Sequence, residues 1–541
     1  MNTPFAHKWI PSLFLPFIGG MIYATSFPMT FAPTFFFGTI IGMSLLFYAL
    51  AFSKEEMDEQ SVWREIFSVL AFSAGYNLLG YYWIPETLKV FGSISFPLNW
   101  FLGFFFSLII SPHLIIFVLL HRGYKKLSVK SSSVVSSVSS RNIVYALALT
   151  LVEYYTPQQF PAHMGHSWMS LAPHLGLAPI FGAPLYSFLN FWLALSLISR
   201  IKQAKTDYLC LSTFILVLIL NFSFPLKDLA KQSEMKHNLR LVQPNIGNFL
   251  KVSSENGKVY AFKEVYDLYL DLSTKSSDKK IDLIVWPETA YPRLLNSTRM
   301  KKDPRFTPRL IREVISRTGS ELFTGGYDKS SIQNEMFFET EYNSAFHFQR
   351  DGKLKDIFHK MKLIPFGEGL PFGPFNQYLA RYIQNISFFA SGDKFTLFHT
   401  NRGTPFGAAI CYEILFSSFI RDNLNSVKEQ PDFLINLTND SWYGRTAEPE
   451  QHLFLAKWRA LEFQLPIVRM TNTGITSIIY PNGSETKRSK LFEIAVQDVE
   501  ISTDKREKTV FQKVGILSTL LLVALLALIA LALSKFKTLK S

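Results

Sequence analysis

Eight apolar stretches constrain this chain more than any other feature, at about 9–27, 31–52, 65–83, 98–120, 142–156, 177–199, 207–224 and 514–534. About 20 helical residues cross the roughly 30 Å hydrocarbon layer of a bilayer. Backbone groups in lipid must bond within their own segment, so such stretches fold as helices. Composition agrees: hydrophobic residues make up 48% of the chain, charged residues only 18%, and phenylalanine occurs 51 times. The fifth stretch is short and contains Glu153. The first follows Lys8, but no small-residue cleavage site comes after it, so an anchor is expected rather than a removable signal. At 541 residues, more than one domain is expected.

The net charge of +13 fits a membrane class through its distribution. Arg122, Lys125, Lys126, Lys130 and Arg141 follow the fourth stretch, Arg200, Lys202 and Lys205 follow the sixth, and Lys535, Lys537 and Lys540 follow the eighth. Lys and Arg concentrate in cytoplasmic loops. The alternation predicts eight spans, both termini in the cytoplasm, and residues 225–513 on the opposite face. The three domains expected are a seven-span bundle over 1–224, an extramembrane catalytic domain over 225–513, and a final span with its tail over 514–541. The serine-rich run 131–140 reads as a linker.

Residues 225–513 carry a different pattern. Short β-rich runs lie at 238–246, 281–286, 321–326, 342–348, 405–410, 432–437, 466–470, 476–480 and 491–500. Helix-like segments such as TPRLIREVISRT and EPEQHLFLAKWRALEFQ separate some of them. That alternation predicts an α/β domain with a largely buried sheet.

In α/β sheets reactive groups collect just past the carboxyl ends of strands. Glu288 follows IDLIVW, and Cys411, Tyr412 and Glu413 follow PFGAAI. Cys411 precedes a helix-like run, and a helix N-terminus there would favour the thiolate. Position alone leaves two readings of Cys411 open, an exposed nucleophile and a buried small hydrophobe. Lys360 lies among apolar residues in DIFHKMKLIPFGEGLPFG, whose PFGE carries Glu368. On its own a lysine in such surroundings is usually a snorkelling surface group. A carboxylate, a lysine and a cysteine together make an acyl-transfer site: the carboxylate takes the thiol proton, and the cation with a backbone N–H stabilises the oxyanion. Cys210 sits in an apolar stretch, so no disulfide framework is expected.

WPETAYP around Glu288, FHKMKLIPFGE around Lys360 and ICYE around Cys411 resemble the Glu-Lys-Cys triad of the nitrilase (carbon-nitrogen hydrolase) superfamily. More narrowly they resemble its membrane-embedded branch, the apolipoprotein N-acyltransferases. YNSAF (342–346), NLTNDSWYG (436–444), EQHLFLAKWRALEFQLPIVRMTNTG (450–474) and GYNLLGYYWI (75–84) match the same branch. The resemblance implies a bundle of about eight spans plus a nitrilase-like αββα sandwich. It implies Glu288 as general base, Cys411 as nucleophile and Lys360 as oxyanion stabiliser, with Glu368, Tyr412 and Glu413 in support. It implies a ping-pong transfer from a phospholipid to Cys411 as a thioester, then to the N-terminal amine of an S-diacylglyceryl-cysteine lipoprotein. The enzyme would act as a monomer in a bacterial inner membrane, its catalytic domain periplasmic. Two departures stand out: Val252 occupies the place of a family tryptophan after VQPNI, and FPA (160–162) replaces FPW.

No cofactor is expected. His163, His166 and His174 lack ligand partners at metal-binding spacing, and no phosphate loop or basic aromatic patch suggests nucleotide or nucleic acid. Two rival functions remain, a membrane-tethered nitrilase-like amidase and a weakly active homologue that binds lipid or lipoprotein. Residues 369–395 hold Phe372, Phe375, Phe388 and Phe389 among Gly and Pro. They are expected either to pack as a core excursion or to form a lid that dips into the outer leaflet and admits lipid tails.

Overall fold

A computed structural model describes residues 4–51, 59–90, 93–109, 111–130, 137–232, 235–330, 340–365, 367–370, 373–379 and 388–540. The chain divides into two compact units, one of residues 1–226, 446–454 and 513–541, the other of residues 227–445 and 455–512.

The first unit is helical. Long helices run over Pro4–Ala24, Gly38–Ala51, Glu59–Gly80, Val138–Tyr155, Ala178–Gln203, Tyr208–Ser223 and Leu517–Lys540. Two helices among the described residues are long and apolar enough to cross a bilayer, Ala178–Lys202 and Leu517–Lys535. Shorter apolar helices cover Ser12–Ala24, Gly38–Leu50, Pro112–Gly123 and Tyr208–Ser223. The stretch expected as one span over 98–120 is divided, with one helix at Leu98–Ile109 and a second starting at Pro112. Proline lacks the N–H that would continue the ladder and disfavours helical backbone just before it, which accounts for the break. Close backbone approach holds the first and third helices together: a Cβ on Gly20 would stand 2.0 Å from the Phe72 carbonyl oxygen. Only a residue without a side chain permits so close an approach.

The second unit is built on two sheets. The strands are β1 (Met235–Gln243), β2 (Leu283–Val285), β3 (Tyr291–Leu295), β4 (Glu321–Lys329), β5 (Glu341–Phe348), β6 (Leu354–His359), β7 (Phe398–His399), β8 (Pro405–Ile410), β9 (Phe433–Thr438), β10 (Ile467–Thr471), β11 (Ser477–Ile479) and β12 (Ala495–Thr503). One sheet runs β12-β1-β2-β4-β5-β6 with β3 also paired to β4, and the other runs β11-β10-β9-β8-β7. The central pairs β1–β2, β2–β4, β8–β9 and β9–β10 are parallel. Parallel strands are buried on both faces, which explains their continuous apolar runs.

Alternation along β4 shows the layering. Leu322 belongs to the core shared with helices Val259–Thr274 and Arg309–Thr318 through Val265, Tyr269, Ile311 and Val314. Its neighbour Phe323 points the other way, against Phe398 and Phe406 of the second sheet at ring distances of 5.1 and 5.4 Å. Phe406 in turn stacks on Phe433 at 5.1 Å. The two sheets therefore face each other across a phenylalanine layer, and helices cover the outer face of the first. Nine expected strand positions coincide with strands. β3, β6 and β7 were not legible in the sequence, because their side chains follow neither strict alternation nor a continuous apolar run.

Candidate active site

The site forms where the carboxyl ends of β2 and β8 meet the loop after β6. Trp286 and Pro287 carry the chain from β2 into Glu288 and Thr289. Thr289 adopts a left-handed backbone with φ of 49°. The turn lies against β4 so closely that a Cβ on Gly325 would be 2.5 Å from the Pro287 oxygen and 2.7 Å from the Glu288 Cα. Only glycine permits that approach.

Lys360 follows β6 directly and is fully buried. Its Nζ lies 2.8 Å from the Glu368 carboxylate and 3.3 Å from Glu288 Oε1. Asn343 of β5 donates from one Nδ2 to both carboxylates, 2.8 Å to Glu288 and 3.0 Å to Glu368. The backbone holds the lysine from both sides: its N–H donates to the Asn343 carbonyl, and its carbonyl accepts from Gly392. Burial works against the ammonium, yet the charges of Glu368 and Glu288 outweigh it and raise the Lys360 pKa well above its usual value. The two carboxylates thus favour the ammonium form of Lys360. A buried lysine held by two carboxylates excludes the snorkelling reading.

Cys411 closes β8. It lies 4% exposed on a short 3-10 turn, Cys411–Leu415, with φ of 49°. The α-helix begins only at Ser417, so Cys411 does not sit at an α-helix N-terminus as its neighbours in sequence suggested. Burial and the Glu288 charge push the thiol pKa up, with Lys360 and a hydrogen bond to Thr438 opposing. A thiol held neutral beside a carboxylate needs that carboxylate to take its proton.

Glu413 holds the turn. Its Oε1 accepts from the Met361 and Lys362 N–H groups at 2.7 and 3.0 Å, and its Oε2 accepts from the Ile410 N–H at 2.7 Å. One side chain thus ties the cysteine strand to the lysine loop. Burial nonetheless pushes its carboxyl up to about 7. Glu368 plays a similar part, since its Oε2 accepts from the Ile364 N–H at 3.0 Å. The Tyr412 ring packs edge-on against Phe416 at 4.8 Å. Behind Thr438, Asp440 accepts from its hydroxyl at 3.1 Å and pairs with buried Arg469 at 2.8 Å.

The structure brings Glu288, Lys360, Cys411, Glu368 and Glu413 together. Asn343 and Thr438 belong to the same cluster, and an uncharged residue within a strand offers no sequence signal beyond a motif match. Of the expected lid residues, Phe372 lies outside the described residues. Phe375 is 69% exposed, Phe388 is half-buried, and Phe389 stacks on Tyr327 at 5.7 Å. Among the described residues of the segment, Phe375 is open and Phe389 is packed.

Comparison with known proteins adds to this geometry. The carbon-nitrogen hydrolase family profile matches residues 238–509, half of the chain. The profile of the apolipoprotein N-acyltransferase N-terminal domain matches residues 19–196. A Bdellovibrio bacteriovorus protein named apolipoprotein N-acyltransferase is 28% identical over 433 residues, covering 77% of this chain and 76% of its own. A Rickettsia bellii protein of the same name is 26% identical over 541 residues, covering 97% of this chain and 99% of its own. Another from Haemophilus influenzae is 26% identical, covering 79% and 78%. The chain belongs to the carbon-nitrogen hydrolase family, with its sequence relatives among that family's apolipoprotein N-acyltransferases.

Proposed function

We propose that this protein is an apolipoprotein N-acyltransferase. It would move an acyl chain from a membrane phospholipid to Cys411, and from there to the N-terminal α-amine of a diacylglyceryl lipoprotein. The observation that carries this reading is the buried cluster in which Lys360 touches both Glu288 and Glu368, with Cys411 beside them.

In the first half-reaction the Glu288 carboxylate takes the Cys411 Sγ proton, and the sulfur attacks the phospholipid ester carbonyl. The charge that develops on the carbonyl oxygen is met by the Lys360 ammonium, which is already in place. Collapse breaks the ester C–O bond, and the leaving lysophospholipid oxygen takes the proton from Glu288. In the second half-reaction the lipoprotein amine attacks the thioester carbonyl and gives a proton to Glu288. The C–S bond breaks and the proton returns to sulfur. Glu288 therefore acts as base and then acid in each half, and the enzyme ends as it began.

Both substrates are lipids, which supports a multi-pass membrane setting with the catalytic unit at the periplasmic face of a bacterial inner membrane. The eight apolar stretches and the alternating Lys and Arg loops support that topology. Residues 369–395, of which 371–372 and 380–387 lie outside the described residues, would serve as a lid: an exposed apolar side chain such as Phe375 would pass the tails of a lipid that leaves the bilayer at about 0.8 kcal/mol per exposed CH₂. A monomer suffices, since every triad residue comes from one chain.

The direct test is mass spectrometry of lipoproteins from a strain depleted of this protein. Loss of the amide-linked acyl chain, restored by the wild-type gene and not by Cys411→Ala, is the expected result. Lipoproteins that stay fully acylated on depletion would exclude the proposed activity as this protein's own.

A further inference from the structure

Outside the triad, a second lysine reaches the catalytic turn. Lys251 lies on the helix Asn248–Glu255 and is 8% exposed. Its Nζ donates to the Thr289 hydroxyl, next in sequence to Glu288. With Glu288, Thr289 and Asn472 it lines a narrow cleft. Its carboxylate neighbour Glu255 is 4.0 Å away, long for an ion pair, and Glu255 also accepts from the Tyr327 hydroxyl at 2.8 Å. The Trp442 ring centre is 5.9 Å from the ammonium.

We propose that Lys251 is a positioning residue for Glu288, which it holds in place by pinning the left-handed turn through Thr289. The inference rests on the reading of Glu288 as base. The strained turn at Thr289 argues for it. Thr289 has φ of 49° in a β-branched residue, a conformation that persists only when its surroundings hold it. The Thr289 hydroxyl is that residue's only polar side-chain group, and a buried ammonium grips it. Asn472 cannot replace Lys251, because its amide is committed to Ile246 and Asn439.

The experiment follows the rate of iodoacetamide alkylation of Cys411 in the detergent-solubilised full chain at pH 7, read on the Cys411 peptide by mass spectrometry. Alkylation needs no lipid, so its outcome is independent of whether the enzyme transfers acyl chains. Lys251→Met is expected to slow alkylation severalfold, and Lys251→Arg, which keeps a donor for the Thr289 hydroxyl, to bring the rate back toward wild type. Thr289→Val keeps the charge but loses the grip, and is expected to slow alkylation at pH 7 severalfold. An alkylation rate unchanged in Lys251→Met, or a loss that Lys251→Arg does not restore, overturns the proposal. Should Lys251→Met fail to fold, wild-type alkylation in Thr289→Val overturns it instead.

Discussion

Lys360 donates to Glu368 across 2.8 Å, a shorter contact than the 3.3 Å it makes to Glu288. The lysine is thus anchored by one carboxylate and shared with the other. Glu368 holds the cation in place at rest, and Glu288 is left able to accept a proton without releasing it.

Lys360 and Lys362 lie two residues apart but differ in environment. Lys362 is only partly buried, and its Nζ stands 4.1 Å from the Phe416 ring centre. Lys360→Ala is expected to cost about 3 kcal/mol or more of transition-state stabilisation, on the order of a hundredfold in rate. Lys362→Ala should cost far less. Turnover of a fluorescent phospholipid donor measures both, and equal losses would refute the assignment.

Glu368→Gln keeps the shape and removes the anchoring charge. Lys360 then leans fully on Glu288, and the base becomes a salt-bridge partner. Acyl transfer is expected to fall about tenfold to a hundredfold, with the thioester on Cys411 forming more slowly in single-turnover measurements. A variant with unchanged thioester formation would show that Glu368 is dispensable for positioning.

Glu413 gives a pH prediction. Its carboxyl is pushed up to about 7, above its ordinary value of 4.5, by burial. Folding therefore favours the protonated form. Its contribution to stability is present below pH 4.5 and is lost as pH rises through 7. Glu413→Gln should flatten that part of the decline in melting temperature between pH 5 and 8. It should also lower stability by about 1–3 kcal/mol at acidic pH, because an amide NH₂ in place of one carboxylate oxygen faces a backbone N–H. Scanning calorimetry across that range decides both points, and a slope identical to wild type would contradict the first.

Cys411→Ala is expected to abolish acyl transfer and the hydroxylamine-labile acyl mass on the peptide containing residue 411. Residual transfer well above the uncatalysed rate would remove the thioester from the mechanism.

The lid reading is tested separately from the chemistry. Phe375→Ser should slow transfer from phospholipid vesicles while leaving iodoacetamide alkylation of Cys411 at the wild-type rate. Spin labels at Phe375 and Phe388 in nanodiscs should report mobility and contact with lipid-soluble relaxation agents. Immobile, shielded labels at both positions, with and without phospholipid, would favour the core-packed alternative.

The apolar stretches, the β-rich runs and the three motifs around Glu288, Lys360 and Cys411 were legible in the sequence. Each depends on local composition: a strand buried on both faces must be continuously apolar, and a reactive group must stand just beyond it. The position of Glu288 after LIV and of Cys411 after PFGAAI follows from that rule. Tertiary structure decided what no local pattern carries. Lys360 could be a surface lysine on sequence alone, and it becomes a buried cation only because β5 and the 364–368 loop bring Asn343 and Glu368 onto it. Glu413 ties its own turn to Met361, 52 residues earlier, and to Lys362 and Ile410 through three backbone N–H groups, and backbone donors leave no trace in a sequence. Lys251 likewise reads as one more basic residue until the fold sets it against Thr289. Burial and charge pairing arise between segments far apart in the chain, so the electrostatics of this site belong to the fold rather than to any motif.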